Sequence, residues 1–134
     1  MSDNFETLQQ FFTRIGLTVH KAVRTGSFGD YIVEACTSNL CLKGVSDRSL
    51  ESIEVRSASD PGEWFIMNLV VSFILKENRL VEEIGLEVQL RFVENHFADL
   101  ERLFAEDHYH QTKSELKELA ALRGKILFPD WYSS

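Results

Sequence analysis

The stretch from Trp64 to Leu75, WFIMNLVVSFIL, carries only two polar side chains, Asn68 and Ser72. A run this apolar has to be buried, and its periodicity suggests how. The polar positions Asn68, Ser72, Lys76 and Arg79 recur at spacings of four, four and three, a narrow helical stripe rather than the alternation of a strand. Upstream, Asp60 is placed to cap, Pro61 suits a first helical turn and Glu63 falls where a reciprocal capping residue belongs. The pattern predicts a helix over 61–77, apolar on nearly every side and therefore central to a core. Its apolar part is only ~18 Å long at 1.5 Å per residue, short of the ~20 residues needed to span a bilayer.

Similar signals recur elsewhere. Asp3 and Glu6 bracket a start for Phe5, Leu8, Phe11, Phe12 and Ile15, with Gly16 as a stop, predicting a helix over 3–15. Thr112 and Glu115 precede Leu116, Leu119 and Leu122, with Gly124 as a stop, predicting a helix over 112–123. Between Arg79 and Ala105, Leu86, Leu90, Val93, Phe97, Leu100 and Phe104 alternate spacings of four and three. This reads as one helix whose seam packs on the apolar run, with Gly85 marking a kink or a late start.

The segment 17–57 has another rhythm. SIEVR alternates, with Ile53 and Val55 on one face, and DYIVEAC carries Tyr31, Val33 and Ala35 on one face. LTVHKAV and NLCLKGV are also rich in strand formers, and the turn-like TGSFG, TSN and SDRS separate the segments. Four strands in an antiparallel meander follow. With an N-terminal helix and three C-terminal helices, they predict a single α+β domain over 1–134. It would have two layers, with the helices packed mainly on one face of the sheet and the other face wet.

Of the 134 residues, 21 are acidic and 14 basic, giving a net charge of −7. This argues against a phosphate-tracking nucleic-acid binder. The N-terminal MSDNFETLQQ does not read as a secretory signal, and without a membrane span the expected compartment is the cytoplasm. Cys36 and Cys41 are five positions apart, neither a C-x-x-C redox pair nor half of a zinc site with a visible second half. They can face each other across a hairpin, but in a reducing compartment they are expected as free thiols.

Residues 77–107 hold nine acidic and three basic side chains. Glu87, Glu94 and Glu101 repeat every seven residues and would form one line on the long helix, with Arg91 placed to pair with Glu87. With Asp99, Glu106 and Asp107 they form the expected partner-binding surface, able to steer a basic protein by long-range attraction. The half-wet sheet face with Glu34, Lys43, Glu54 and Arg56 is the other candidate surface.

EDHYH places Glu106, Asp107, His108 and His110 together, but in what reads as a solvated loop between helices. No nucleophile elbow, phosphate loop or H-E-x-x-H is present, so no catalytic residue, metal or cofactor is assigned. The aromatic tail with Phe128, Trp131 and Tyr132 is expected to fold back onto the core.

The run YIVEACTSNLCLKGVSDRSLESIEVRS, followed by GEWFIMNLVVSFI, resembles the small bacterial immunity proteins of polymorphic or contact-dependent toxin systems. The features concerned are Asp47–Arg48 before the strand at Ile53–Val55 and the helix led by Trp64, over the middle third of the chain. Ser49 stands where many of those proteins have glycine. The resemblance implies a cytoplasmic, non-enzymatic protein that binds and neutralises a toxin domain, often a basic nuclease. Two other readings compete. An acidic secretion chaperone for an effector suits the first helix but not the helical C-terminus. A small metal-dependent enzyme would use His108, His110 and a carboxylate.

Overall fold

The computed structural model describes residues 4–26 and 29–132, with the backbone alone at 131 and 132. The expected cap at Asp3, the turn tip at Ser27 and Phe28, and the side chains of Trp131 and Tyr132 lie outside the described residues. The chain forms α1 (Phe5–Arg14), β1 (Thr18–Thr25), β2 (Asp30–Cys36), β3 (Leu40–Asp47), β4 (Leu50–Ser57) and β5 (Phe65–Ile66). It continues through α2 (Met67–Leu75), α3 (Leu86–Asn95), α4 (Phe97–Phe104), α5 (Glu106–Leu127) and the single turn α6 (Pro129–Tyr132). The α+β class is as expected. Among the described residues the sheet has five strands where four were predicted, and the C-terminal helical part is divided differently.

All strands pair antiparallel in the order β1-β2-β3-β4-β5. The register sorts the two faces. Ala22, Val33, Gly44 and Ile53 lie side by side on the inner face, where Val33 and Ile53 are fully buried. Gly44 matters for its missing side chain: a Cβ there would come within 2.7 Å of Leu8 Cδ1, so α1 seats its fully buried Leu8 directly on the strand. On the outer face Lys21, Glu34, Lys43 and Glu54 form a row of alternating charge across four strands, a favourable cross-strand arrangement. Trp64 covers part of this face, its ring lying 4.4 Å from Lys43 Nζ and 5.2 Å from the Arg56 guanidinium carbon. The β3–β4 turn puts Arg48 (φ 53°) and Ser49 (φ 71°) in the left-handed region, as a two-residue hairpin loop demands. The Asp30 carboxylate steadies it by accepting the Arg48 N–H at 2.8 Å.

The apolar run departs from its expected form. Residues 61–64 are not helical, and Phe65 and Ile66 are extended, pairing with Val55 and Glu54 before α2 begins at Met67. The open edge of β4 accounts for this, because its backbone groups gain partners that a longer helix would not supply. Asp60 and Glu63 therefore cap nothing; they are engaged by α5 instead. The stripe Asn68–Ser72 is used in tertiary hydrogen bonds. Asn68 Nδ2 donates to the carbonyls of Arg79 and Glu82, and the buried Ser72 Oγ accepts the Arg79 N–H at 3.0 Å. These bonds hold the irregular segment 76–85 against α2 and help to seat the buried Leu80.

The predicted long helix breaks at His96, whose backbone (φ −118°, ψ 20°) leaves the helical region. The break re-aims the chain, so that α3 meets β4 while α4 meets β3 and α5. Gly85 is the late start, in the N-cap position of α3. Gln89 of α3, which had no assigned role, is buried where β5 is too short to cover β4. Its Oε1 accepts the Ile53 N–H at 2.8 Å, and its Nε2 donates to the Ile84 carbonyl at 2.7 Å. Replacing Gln89 with Leu keeps the bulk but orphans the Ile53 N–H. We expect a loss of about 1–3 kcal/mol in urea-unfolding stability, and an unchanged midpoint would exclude this role.

Candidate functional site

The sequence EDHYH forms the first turn of α5 and not a loop. Ala105 is its extended N-cap residue, and the N–H groups of His108 and Tyr109 bond to the Ala105 carbonyl. Thr112 lies inside the helix, where its buried hydroxyl donates to the Leu103 carbonyl at the end of α4. Gly124 is also internal, and the helix runs on to Leu127 with Pro129 just beyond. One face of α5 is thereby drawn against α4 and α2.

The Asp60 carboxylate accepts hydrogen bonds from Tyr109 Oη at 2.9 Å and Lys113 Nζ at 2.8 Å, tying the segment before β5 to α5. Glu63 pairs with Lys117 one turn further along, and Arg123 Nε donates to the Leu80 carbonyl. The Lys113 bond, then the Tyr109 bond, hold the Asp60 carboxyl below its ordinary range. Burial, and secondly the bond to Asp60, push the Tyr109 phenol up. The signs differ. The Asp60 contribution is present above the unfolded carboxylate value of about 3.9 and is lost as pH falls toward its lowered folded value. The Tyr109 contribution is present below about pH 10 and is lost as pH rises beyond it. Asp60→Asn should therefore flatten the acid limb of a stability-versus-pH curve below about pH 4. An acid limb as steep as that of the parent would place the titration elsewhere.

Between α2, α4 and α5 lies a groove of about 770 Å³. Phe73, Ile74, Leu103, Leu119 and Leu122 supply its apolar lining. Asp99, Glu115 and Glu118 bring negative charge, and Lys76 and Arg102 bring positive charge. A second, shallower depression adjoins it through Arg102 and His108 and adds Glu101 and Asp107. The combined concavity has apolar lining and an excess of carboxylates, the composition of a surface that takes an amphipathic, basic segment.

Of the acidic residues singled out by sequence, Asp99, Glu101 and Asp107 come together here. Asp99 faces Arg102 at 3.5 Å and His96 at 3.6 Å. Glu101 accepts the Thr37 hydroxyl at 2.9 Å, pinning α4 to the β2–β3 turn. Glu106 is exposed in the first turn of α5. Glu87 and Glu94 do not continue a line with Glu101, because the break at His96 separates them. Glu87 makes a loose pair with Arg91 at 3.4 Å, and Glu94 pairs with Arg14 of α1 at 2.7 Å. Glu115, read from sequence as the partner of a cap at Thr112, and Glu118 join the acidic lining. The helix expected over 112–123 already places both, at i+3 spacing, on the same face as Leu119 and Leu122; the signal missed was that this face borders a groove with α2 and α4. Phe128 does not fold back fully and remains 47% exposed.

Among the described residues, one group of three potential metal ligands converges, and it is not EDHYH. His20, Cys36 and Cys41 bring their ligand atoms within 4.8 Å of one another. The two cysteines are joined as a disulfide, against the expectation of free thiols, because the register sets them directly opposite across the β2–β3 hairpin with Cα atoms 4.0 Å apart. Among the described residues no helix is long and apolar enough to cross a membrane. Comparison with protein-family models, with curated proteins and with solved structures finds no match to this chain.

Proposed function

We propose that this chain is a non-enzymatic protein-binding module that neutralises a basic, nuclease-like toxin domain, as an immunity protein does. The observation that carries the reading is the groove between α2, α4 and α5, with its apolar lining and the carboxylates of Asp99, Glu101, Asp107, Glu115 and Glu118. A basic segment of the toxin would seat apolar side chains on Phe73, Leu119 and Leu122 while its cations meet these carboxylates. The net charge of −7 favours rapid encounter with a cationic partner. The resemblance of the middle third to immunity proteins points the same way, and the left-handed Ser49 fits a position where those proteins often use glycine.

The secretion-chaperone reading has less support, since after α2 the described residues form helices and no further strand. The deciding experiment pairs the chain with the C-terminal domain of a toxin encoded beside it. Co-purification in a stoichiometric complex, and survival of cells expressing that toxin domain, are the expected results. Killing that is undiminished by co-expression would overturn the reading.

A further inference from the structure

We propose that, once its disulfide is reduced, this chain binds a zinc ion through His20, Cys36 and Cys41. Cys36 and Cys41 close the β2–β3 hairpin with four residues between them, within the ligand spacing used by zinc loops. A spacing of this kind supplies two ligands and needs at least a third from elsewhere. The third comes from β1. The β1–β2 register slips between Val19 and Lys21, which makes His20 the extra residue of a bulge. Bulges re-aim side chains beside functional sites, and here the result is an imidazole Nε2 2.9 Å from Cys36 Sγ.

The three ligand atoms lie within 4.8 Å of one another, while tetrahedral zinc, with Zn–S near 2.3 Å, holds its ligands about 3.6–3.8 Å apart. Small side-chain rotations would therefore close the site without moving the strands. Two sulfurs and one imidazole suit zinc and are poor ligands for calcium or magnesium. His20 is exposed, Cys36 is half-buried and Cys41 is 2% exposed, so the ion would be anchored at its base and open at its fourth position. The nearest cation in the register, Arg56 opposite Cys41, is occupied by the Ser57 carbonyl and the Trp64 ring.

The disulfide is then the closed state of the site. A dithiol reductant delivers two electrons and two protons, breaking the Cys36–Cys41 bond and leaving as its own disulfide. Zinc binding releases the two thiol protons to solvent, and the imidazole coordinates in its neutral form. Metal uptake is thereby gated by the redox state of the surroundings.

The test uses the full chain, reduced anaerobically with a phosphine and titrated with cobalt(II), then with zinc in competition. The expected result is about one equivalent of metal per reduced chain, with a sulfur-to-cobalt charge-transfer band, and no binding by the oxidised chain. His20→Ala, at an exposed position, should weaken zinc binding at least ~10-fold with the fold unchanged by circular dichroism. Cys36→Ser should abolish the charge-transfer band. If that variant does not fold, alkylating the reduced parent serves instead. A reduced chain that takes up no metal, or equal affinities for the parent and His20→Ala, would overturn the proposal. Neither result bears on the groove, so this site and the proposed toxin binding fail independently.

Discussion

Phe104→Ala should cost about 3–5 kcal/mol, a large share of the ~5–15 kcal/mol that holds a domain of this kind together. Phe104 has no exposed surface and stands at the junction of three elements. Its ring centroid is 6.5 Å from that of Phe65 in β5 and 6.0 Å from that of Tyr109 in α5. Its carbonyl accepts the hydroxyl of the fully buried Ser57 at 2.7 Å, fastening the end of α4 to β4. Truncation removes the ring from both neighbours at once, and backbone already fixed by Ser57 relaxes little into the cavity. The measurement is the urea midpoint at unchanged m-value. Phe128→Ala is the comparison, because a side chain 47% exposed should cost less, about 1–2 kcal/mol. Equal losses for the two variants would contradict the burial of Phe104.

The same junction shows what periodicity can and cannot convey. The seam Leu86–Leu90–Val93–Phe97–Leu100–Phe104 correctly placed Val93, Leu100 and Phe104 in the core. It could not convey that the helix re-aims at His96, because a shift in helix direction leaves the spacing of apolar residues intact. The strands were legible for a related reason. Buried Tyr31, Val33 and Ala35 alternate with half-buried Asp30, Ile32, Glu34 and Cys36, and a one-residue slip would turn the whole set outward. β5 was not legible, since Phe65 and Ile66 continue into a helix of the same apolar composition. Only the open edge of β4 separates the two states. Asp60 and Thr112 were misassigned as caps by local chemistry. Both have side chains that suit a cap, and both are used in tertiary bonds, Asp60 to Tyr109 and Lys113 and Thr112 to Leu103. The cysteine pair was legible as a hairpin contact, but the approach of His20 to it was not. Nothing in the spacing of His20 marks a bulge.

Reversing Asp107, Glu115 and Glu118 to Lys should weaken binding of a basic toxin domain by about 100-fold, mostly through slower association at low salt. The heptad set Glu87, Glu94 and Glu101 makes a poorer test than its spacing suggests. Reversing Glu94 sets a lysine beside Arg14, and reversing Glu101 removes the acceptor of the Thr37 hydroxyl, so part of any effect would come from the fold. Asp107, Glu115 and Glu118 are exposed and border the groove, so their reversal changes its charge with little change in stability. Glu87→Lys, on α3 and outside the groove, supplies the comparison and should alter affinity by no more than about 2-fold after the general effect of net charge. Association kinetics at two ionic strengths separate the outcomes. If the groove is the docking surface, the triple variant loses both affinity and salt dependence while Glu87→Lys keeps both. If neither variant changes the affinity, the groove is not the contact surface, and the outer face of the sheet with Glu34, Lys43, Glu54 and Arg56 becomes the candidate. There Lys43 and Arg56 flank Trp64 beside Glu34 and Glu54, a mixed-charge surface whose contacts would show much weaker salt dependence than the groove's.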